Sequence, residues 1–284
     1  MALTILLAVG GFGAGAFGAL LGLGGGVLLV PMLALGFGLP FREAVAISLL
    51  AVIATSSASA AVYLQRGVAN LRLGLALEVL TVIGAVIGGL VAFALDERLL
   101  AAAFAVMLLY VALTMARRRP AAAGAPASAD TSLEIAPAPD EAVVPGSMTA
   151  SLAGPDYQVH RLPLGLALSG LAGVVSALLG VGGGIVKVPA MHLVMGLPLR
   201  AATATSNVTI GVTASASAVL YIMRDAVDPL VAAPVLVGTF IGATTAARVA
   251  PRIPLAAIRW LFVVVLVVVA IQMAARALGG GVAS

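Results

Sequence analysis

Gly24, Gly25 and Gly26 stand between two apolar stretches, and Gly182, Gly183 and Gly184 stand in the same setting 158 residues later. Each glycine costs a helix about 1 kcal/mol relative to alanine, so each triplet should interrupt one. The segment beyond the triplet then starts afresh, with free backbone N–H groups and a partial positive charge at its first turn. Such an end suits an anion, and glycine lets the anion approach the backbone. Ser48 lies on the helix that follows the first break, and Ser206 and Asn207 on its repeat partner, with Ser48 and Ser206 kept by the repeat; their hydroxyl and amide groups could replace water around an oxyanion. Lys187 lies three residues past Gly184 and could balance the charge. The two triplets, Ser48, Ser206, Asn207 and Lys187 are the expected substrate-binding residues.

Three ionisable groups break the repeat. Lys187 stands where the first copy has Leu29, His192 where it has Ala34, and Glu78 falls in register with Leu236. An ionisable side chain at membrane depth is costly and is a functional candidate by default. Glu78 is the candidate for coupling to a proton or another ion; the alternative is that it reaches the interface near Arg72. Lys187 is equally suited to neutralising an anion, to snorkelling and to pairing with an acid. His192 reads as a packed histidine. For most span hydroxyls, including Ser57 and Ser215, interhelical or back-bonded hydrogen bonds are expected. Isolated glycines such as Gly84, Gly88 and Gly242 read as helix-packing positions.

The element that must position these residues is itself duplicated. ALLGLGGGVLLVP from Ala19 to Pro31 matches ALLGVGGGIVKVP from Ala177 to Pro189. The register runs on without a gap, from Gly15 on Gly173 to Gly38-Leu39-Pro40 on Gly196-Leu197-Pro198 and Tyr63 on Tyr221. A duplicated apolar unit with a glycine break at the same place is the sequence form of a repeat-built transporter.

Composition gives the surroundings. Hydrophobic residues make up 62% of the chain and charged residues 9%, with mean hydropathy +1.19. That charge density cannot cover a water-facing surface, for which about 25% is usual. The expected partner is the lipid bilayer of the cell membrane, crossed several times. The excess of 15 Lys+Arg over 11 Asp+Glu is scattered between apolar spans, so it is no nucleic-acid footprint. The absence of cysteine excludes disulfides, thiolate metal sites and cysteine nucleophiles. No cofactor and no metal is expected. The apolar start lacks a basic region and a clear cleavage site, and reads as a retained segment.

A crossing helix needs roughly 20 apolar residues. The long segments fall at about 3–22, 44–64, 73–94 and 99–115, then 164–180, 202–222, 230–250 and 256–275. Segments 26–38 and 184–196 are too short to cross. The expected fold is an all-α polytopic membrane protein of two four-helix-type repeats, each opening with a glycine-broken or re-entrant helix pair. Repeat 1 covers 1–116 and repeat 2 covers 161–284; the Ala/Pro/Gly-rich stretch 117–160 reads as a disordered cytoplasmic linker. If each broken pair enters and returns on one side, the repeats are inverted. The linker side then holds Arg66, Arg72, Arg117, Arg118, Arg119, Arg161, Arg200, Arg248, Arg252 and Arg259, ten in all, against Arg42, Arg98, Arg224 and Arg276. If the broken regions cross instead, the balance falls to eight against six. The positive-inside rule favours the inverted arrangement.

The two glycine blocks, Gly22 to Pro31 and Gly180 to Pro189, each followed by Gly-Leu-Pro and an Ala/Ser-rich helix, resemble those of the TauE/SafE sulfite exporter family. The resemblance covers nearly all the chain outside the linker. It implies export or uptake, export above all, of small sulfur-containing anions such as sulfite, sulfoacetate or other sulfonates. Alternating access of the two halves would carry them. The alternative is an anion channel or a transporter of another small organic anion. An enzyme is not expected, since only two histidines exist and no intramembrane pair of aspartates. ATP driving lacks the Gly-x-x-x-x-Gly-Lys-Ser/Thr run. Proton or ion coupling and a homo-oligomeric assembly are left open.

Overall fold

The computed structural model describes residues 2–21, 24–65, 69–117, 152, 157–249 and 255–278. Among them the chain is helical, with no β-strand. The first half comprises α1 (Ala2–Leu21), α2 (Gly26–Gly36), α3 (Phe41–Gln65), α4 (Leu71–Ala94) and α5 (Glu97–Arg117). The second comprises α6 (Leu162–Leu179), α7 (Gly184–Val194), α8 (Leu199–Ile222), α9 (Pro229–Val249) and α10 (Leu255–Leu278). Six of these are long and apolar enough to cross a membrane. On α4, Leu75, Val79, Ile83, Ile87 and Leu90 form an exposed apolar stripe at helical spacing. Such a surface suits hydrocarbon rather than water.

The short helices are built alike. α2 has six α-helical residues ending at Pro31 and then five in a wider π turn; α7 repeats this, with Pro189 at the same place. A proline ring inside a helix displaces the carbonyl one turn back and removes a donor, and the wider turn follows directly after it. Eleven residues rise about 16 Å, half a bilayer. Each short helix folds back on the long helix before it. A Cβ on Gly25 would sit 3.2 Å from the carbonyl oxygen of Ala14, and one on Gly10 would meet the Met32 side chain. In the second half, Gly183 faces Ala172 and Gly165 faces Met195 in the same way. The broken pairs are therefore hairpins that return to the end at which they begin.

α3 and α4 run in opposite directions: Arg42, at the start of α3, donates to the carbonyls of Ala92 at 3.3 Å and Leu95 at 2.6 Å, at the end of α4. α4 and α8 run in the same direction. The contacts climb together from Asn70 on Thr205, through Glu78 on Thr213, to Gly89 on Leu220. α3 packs on α8 at the centre, and α5 on α10. The hairpins cross over: α1 packs on α9, and α6 packs on α4. The glycines at these seams carry no side chain for a reason. A Cβ on Gly84 would overlap the Gly170 carbonyl, and one on Gly242 would overlap that of Phe12, its repeat equivalent. Gly88 presses on Val174. These are close-packed helix faces, as expected from the isolated glycines.

Most of the 117–160 linker lies outside the described residues. Its last stretch is held: Tyr157 Oη accepts from Asn70 Nδ2 at 2.9 Å, and His160 N donates to the Met195 carbonyl at 3.1 Å.

Candidate functional site

The two breaks meet in the interior, between α3 and α8. Gly24, Gly25, Gly182 and Gly183 all adopt positive φ, between 73° and 79°. L side chains rarely adopt that conformation, which explains the glycines. Gly26 packs directly on Gly180 and Val181 of the other half, and Gly24 and Gly182 both face Val52 and Ile210. The first intrahelical bonds of α2 and α7 are donated by Leu28 and Val186, to the carbonyls of Gly25 at 3.2 Å and Gly183 at 3.1 Å. The amides of Gly26, Val27, Gly184 and Ile185 precede those bonds.

The candidate side chains surround this junction, but not symmetrically. Ser48 Oγ donates across the halves to the Gly180 carbonyl at 2.7 Å. Ser206, its repeat equivalent, is fully buried and its Oγ has no hydrogen-bond partner. An unpartnered buried hydroxyl costs about 1–3 kcal/mol. Asn207 is also buried, and lines a small, mostly apolar cavity of about 10 Å³ with Gly24, Thr55, Ser56, Ser59 and Ile210. That is the room of one water molecule. Ser56 bridges the central pair, donating to the Asn207 carbonyl at 2.7 Å and accepting from Gly211 N at 3.1 Å. Ser57 and Ser215 bond only to their own helices.

Lys187 and Glu78 are brought together. Lys187 Nζ donates to Glu78 Oε2, forming an ion pair whose side chains are 3% and 4% exposed. Lys187 Nζ also reaches Thr209 Oγ1 at 3.2 Å, and Thr213 Oγ1 donates to Glu78 Oε1. Of the three uses open to Lys187 in the sequence, pairing with an acid is the one observed. Glu78 points inward, away from the interface near Arg72. His192 is partly buried, its Nδ1 2.7 Å from the Leu197 carbonyl. Sequence reasoning missed the pairing, although both partners replace leucines of the other half, and Thr209 replaces Ala51. It also missed Asn70, which caps α4 through Leu73 N at 3.1 Å and holds the Leu152 carbonyl at 2.8 Å.

Irregular backbone buried between helices of an apolar-surfaced bundle defines a polytopic membrane protein of the broken-helix kind. The family model of the sulfite exporter TauE/SafE matches residues 7–273. The chain therefore belongs to the TauE/SafE family of membrane transporters. It is also 25% identical over 276 residues to the probable membrane transporter protein YunE of Bacillus subtilis (strain 168), covering 95% of this chain and 96% of that one. No solved structure matches it.

Proposed function

We propose that the protein is a secondary transporter in the cell membrane that exports small sulfur-containing anions such as sulfite, sulfoacetate or other sulfonates. The observation that carries this reading is the meeting of the two glycine breaks, beside a buried and unpartnered Ser206. The amides that open α2 and α7 and the groups of Ser206 and Asn207 supply donors for an oxyanion without a compensating acid among them. Ser48 completes the junction by tying it across the halves. Lys187, within one helical turn of Gly184, adds a positive charge when its partner Glu78 is neutralised. A cavity with room for one water does not hold a sulfonate, so binding requires the halves to separate around the breaks. That motion is alternating access rather than a standing pore.

The repeats, 1–116 and 161–284, sit inverted in the bilayer with the intervening linker on the cytoplasmic side. The arginine balance supports this, and so do the helix directions: α4 antiparallel to α3 and parallel to α8 sets α3 against its own equivalent, α8. Reconstituted vesicles test the function. Uphill, saturable methanesulfonate counterflow that disappears on Gly183→Leu supports the transporter. Non-saturating flux that only runs downhill would replace it with a channel, and undiminished flux in Gly183→Leu would make the breaks mere packing.

A further inference from the structure

The Lys187–Glu78 pair is present in one half only. Its equivalents, Leu29 and Leu236, are apolar, so the architecture is built without an ion pair at that place. A fold-bearing role would call for one in both halves. The pair is buried yet stands beside the junction: Thr209, which Lys187 contacts, hydrogen-bonds weakly to the Ser206 carbonyl at 3.4 Å. Among the described residues it also stands alone. α6 carries no ionisable side chain, Arg72 is exposed at the start of α4, and His192 is occupied at the far end of α7. Arg200 and Tyr221 are the other ionisable residues of α8; Arg200 lies in its first turn, and Tyr221, at its last turn, donates to the Ala177 carbonyl.

A buried ammonium needs a counter-anion. Either Glu78 or a bound substrate can supply it, but both together leave a surplus negative charge in an apolar interior. Resting on the transporter reading above, we propose that Glu78 and Lys187 form a proton-operated switch. A proton from the aqueous phase binds the Glu78 carboxylate, the ammonium of Lys187 is released to the substrate, and one proton travels with each monoanion. The charge balances: the ammonium keeps its proton, the carboxylate gains one, and the anion replaces the lost negative charge. Thr213 suits both states, because its hydroxyl donates to the carboxylate and can turn to accept from the carboxylic acid. The asymmetry confines coupling to the second break and makes transport of a monoanion electroneutral, so export runs only while the outward anion gradient exceeds the inward proton gradient.

The test uses the full chain in vesicles with radiolabelled methanesulfonate, which stays ionised throughout, so that proton movement reports on the protein. The wild type should accumulate it along an imposed pH gradient, roughly tenfold for one pH unit at one proton per anion. Glu78→Gln mimics the protonated acid; its counterflow should become independent of pH and its accumulation should vanish. Glu78→Leu/Lys187→Leu gives this half the pair already present in the other, and should insert normally yet accumulate nothing. Accumulation that survives in Glu78→Gln or in the double variant, or wild-type counterflow that no pH gradient can drive, overturns the switch while leaving the transporter standing. No counterflow in the wild type under any gradient overturns the transporter reading, and the switch with it.

Discussion

Replacing Gly26 with alanine adds one methyl group at the junction of the two breaks. Gly26 and Gly184 both have ordinary negative φ, so alanine meets no backbone strain at either. The difference lies in what the methyl meets. At Gly26 it would overlap the Gly180 carbonyl oxygen and lie 2.9 Å from Ser48 Oγ and 3.1 Å from Val181 Cα. Two of those three atoms are backbone of the opposite half and cannot rotate aside. At Gly184 the neighbours are the tip of Ile210 at 3.1 Å and Ser206 Oγ at 3.4 Å, both side chains. Overpacking a close-packed site costs about 1–3 kcal/mol. Gly26→Ala should therefore lose about that much stability in reversible denaturation in mixed detergent micelles. Gly184→Ala should lose less than about 1 kcal/mol, because small side-chain shifts and a better helix former offset its contact. Equal losses in the two variants, or a Gly26→Ala protein as stable as the wild type, would show that the breaks do not press on each other.

Other substitutions test separate parts of the account. Glu78→Ala and Lys187→Ala should each cost about 3–5 kcal/mol by stranding a buried charge, and Glu78→Leu/Lys187→Leu should recover most of it; additive losses in the same denaturation assay would contradict the pairing. Asn70→Ala should lose about 0.5–2 kcal/mol with the cap of α4, and limited proteolysis should cut faster near Tyr157. Tyr221→Phe, which removes the 2.9 Å bond from Tyr221 Oη to the Ala177 carbonyl, should cost about 0.5–1.5 kcal/mol. Ser128→Cys and Ala277→Cys, introduced singly into a chain without native cysteine, should label from opposite faces of the membrane; labelling from one face would refute the inverted arrangement.

Local features could be read because they are local. The glycine triplets, Pro31 with Pro189, and the Gly-Leu-Pro ends give the short helices their bounds, and 26–38 and 184–196 differ from the observed helices by two residues at one end. The repeat register foretold that Ser48 and Ser206 would sit at equivalent places. It could not foretell that only Ser48 finds a partner, since that depends on a carbonyl of the other half. The ion pair was hidden for a related reason. Lys187 and Glu78 lie 109 residues apart, on helices that meet only because α6, on which α7 folds back, docks against α4. Periodicity describes the face of one helix; it does not say which helix the face meets. Arg42 likewise looked like a topology marker, whereas it caps the end of α4.

The crossed docking of the hairpins has a consequence for biosynthesis. α1 leaves the ribosome well before its packing partner, α9, which ends at Val249. At about 5–20 residues per second, the intervening 228 residues (249 − 21) take roughly 10–45 s to make. Throughout that interval the face of α1 around Gly11 and Gly15, which will seat against Val235 and Thr239, has only lipid or the insertion machinery to rest on. The first hairpin is thus a nascent segment held open for a late arrival. A ribosome stalled before α9 should leave α1 accessible to crosslinking with insertion factors, and completion of α9 should release it.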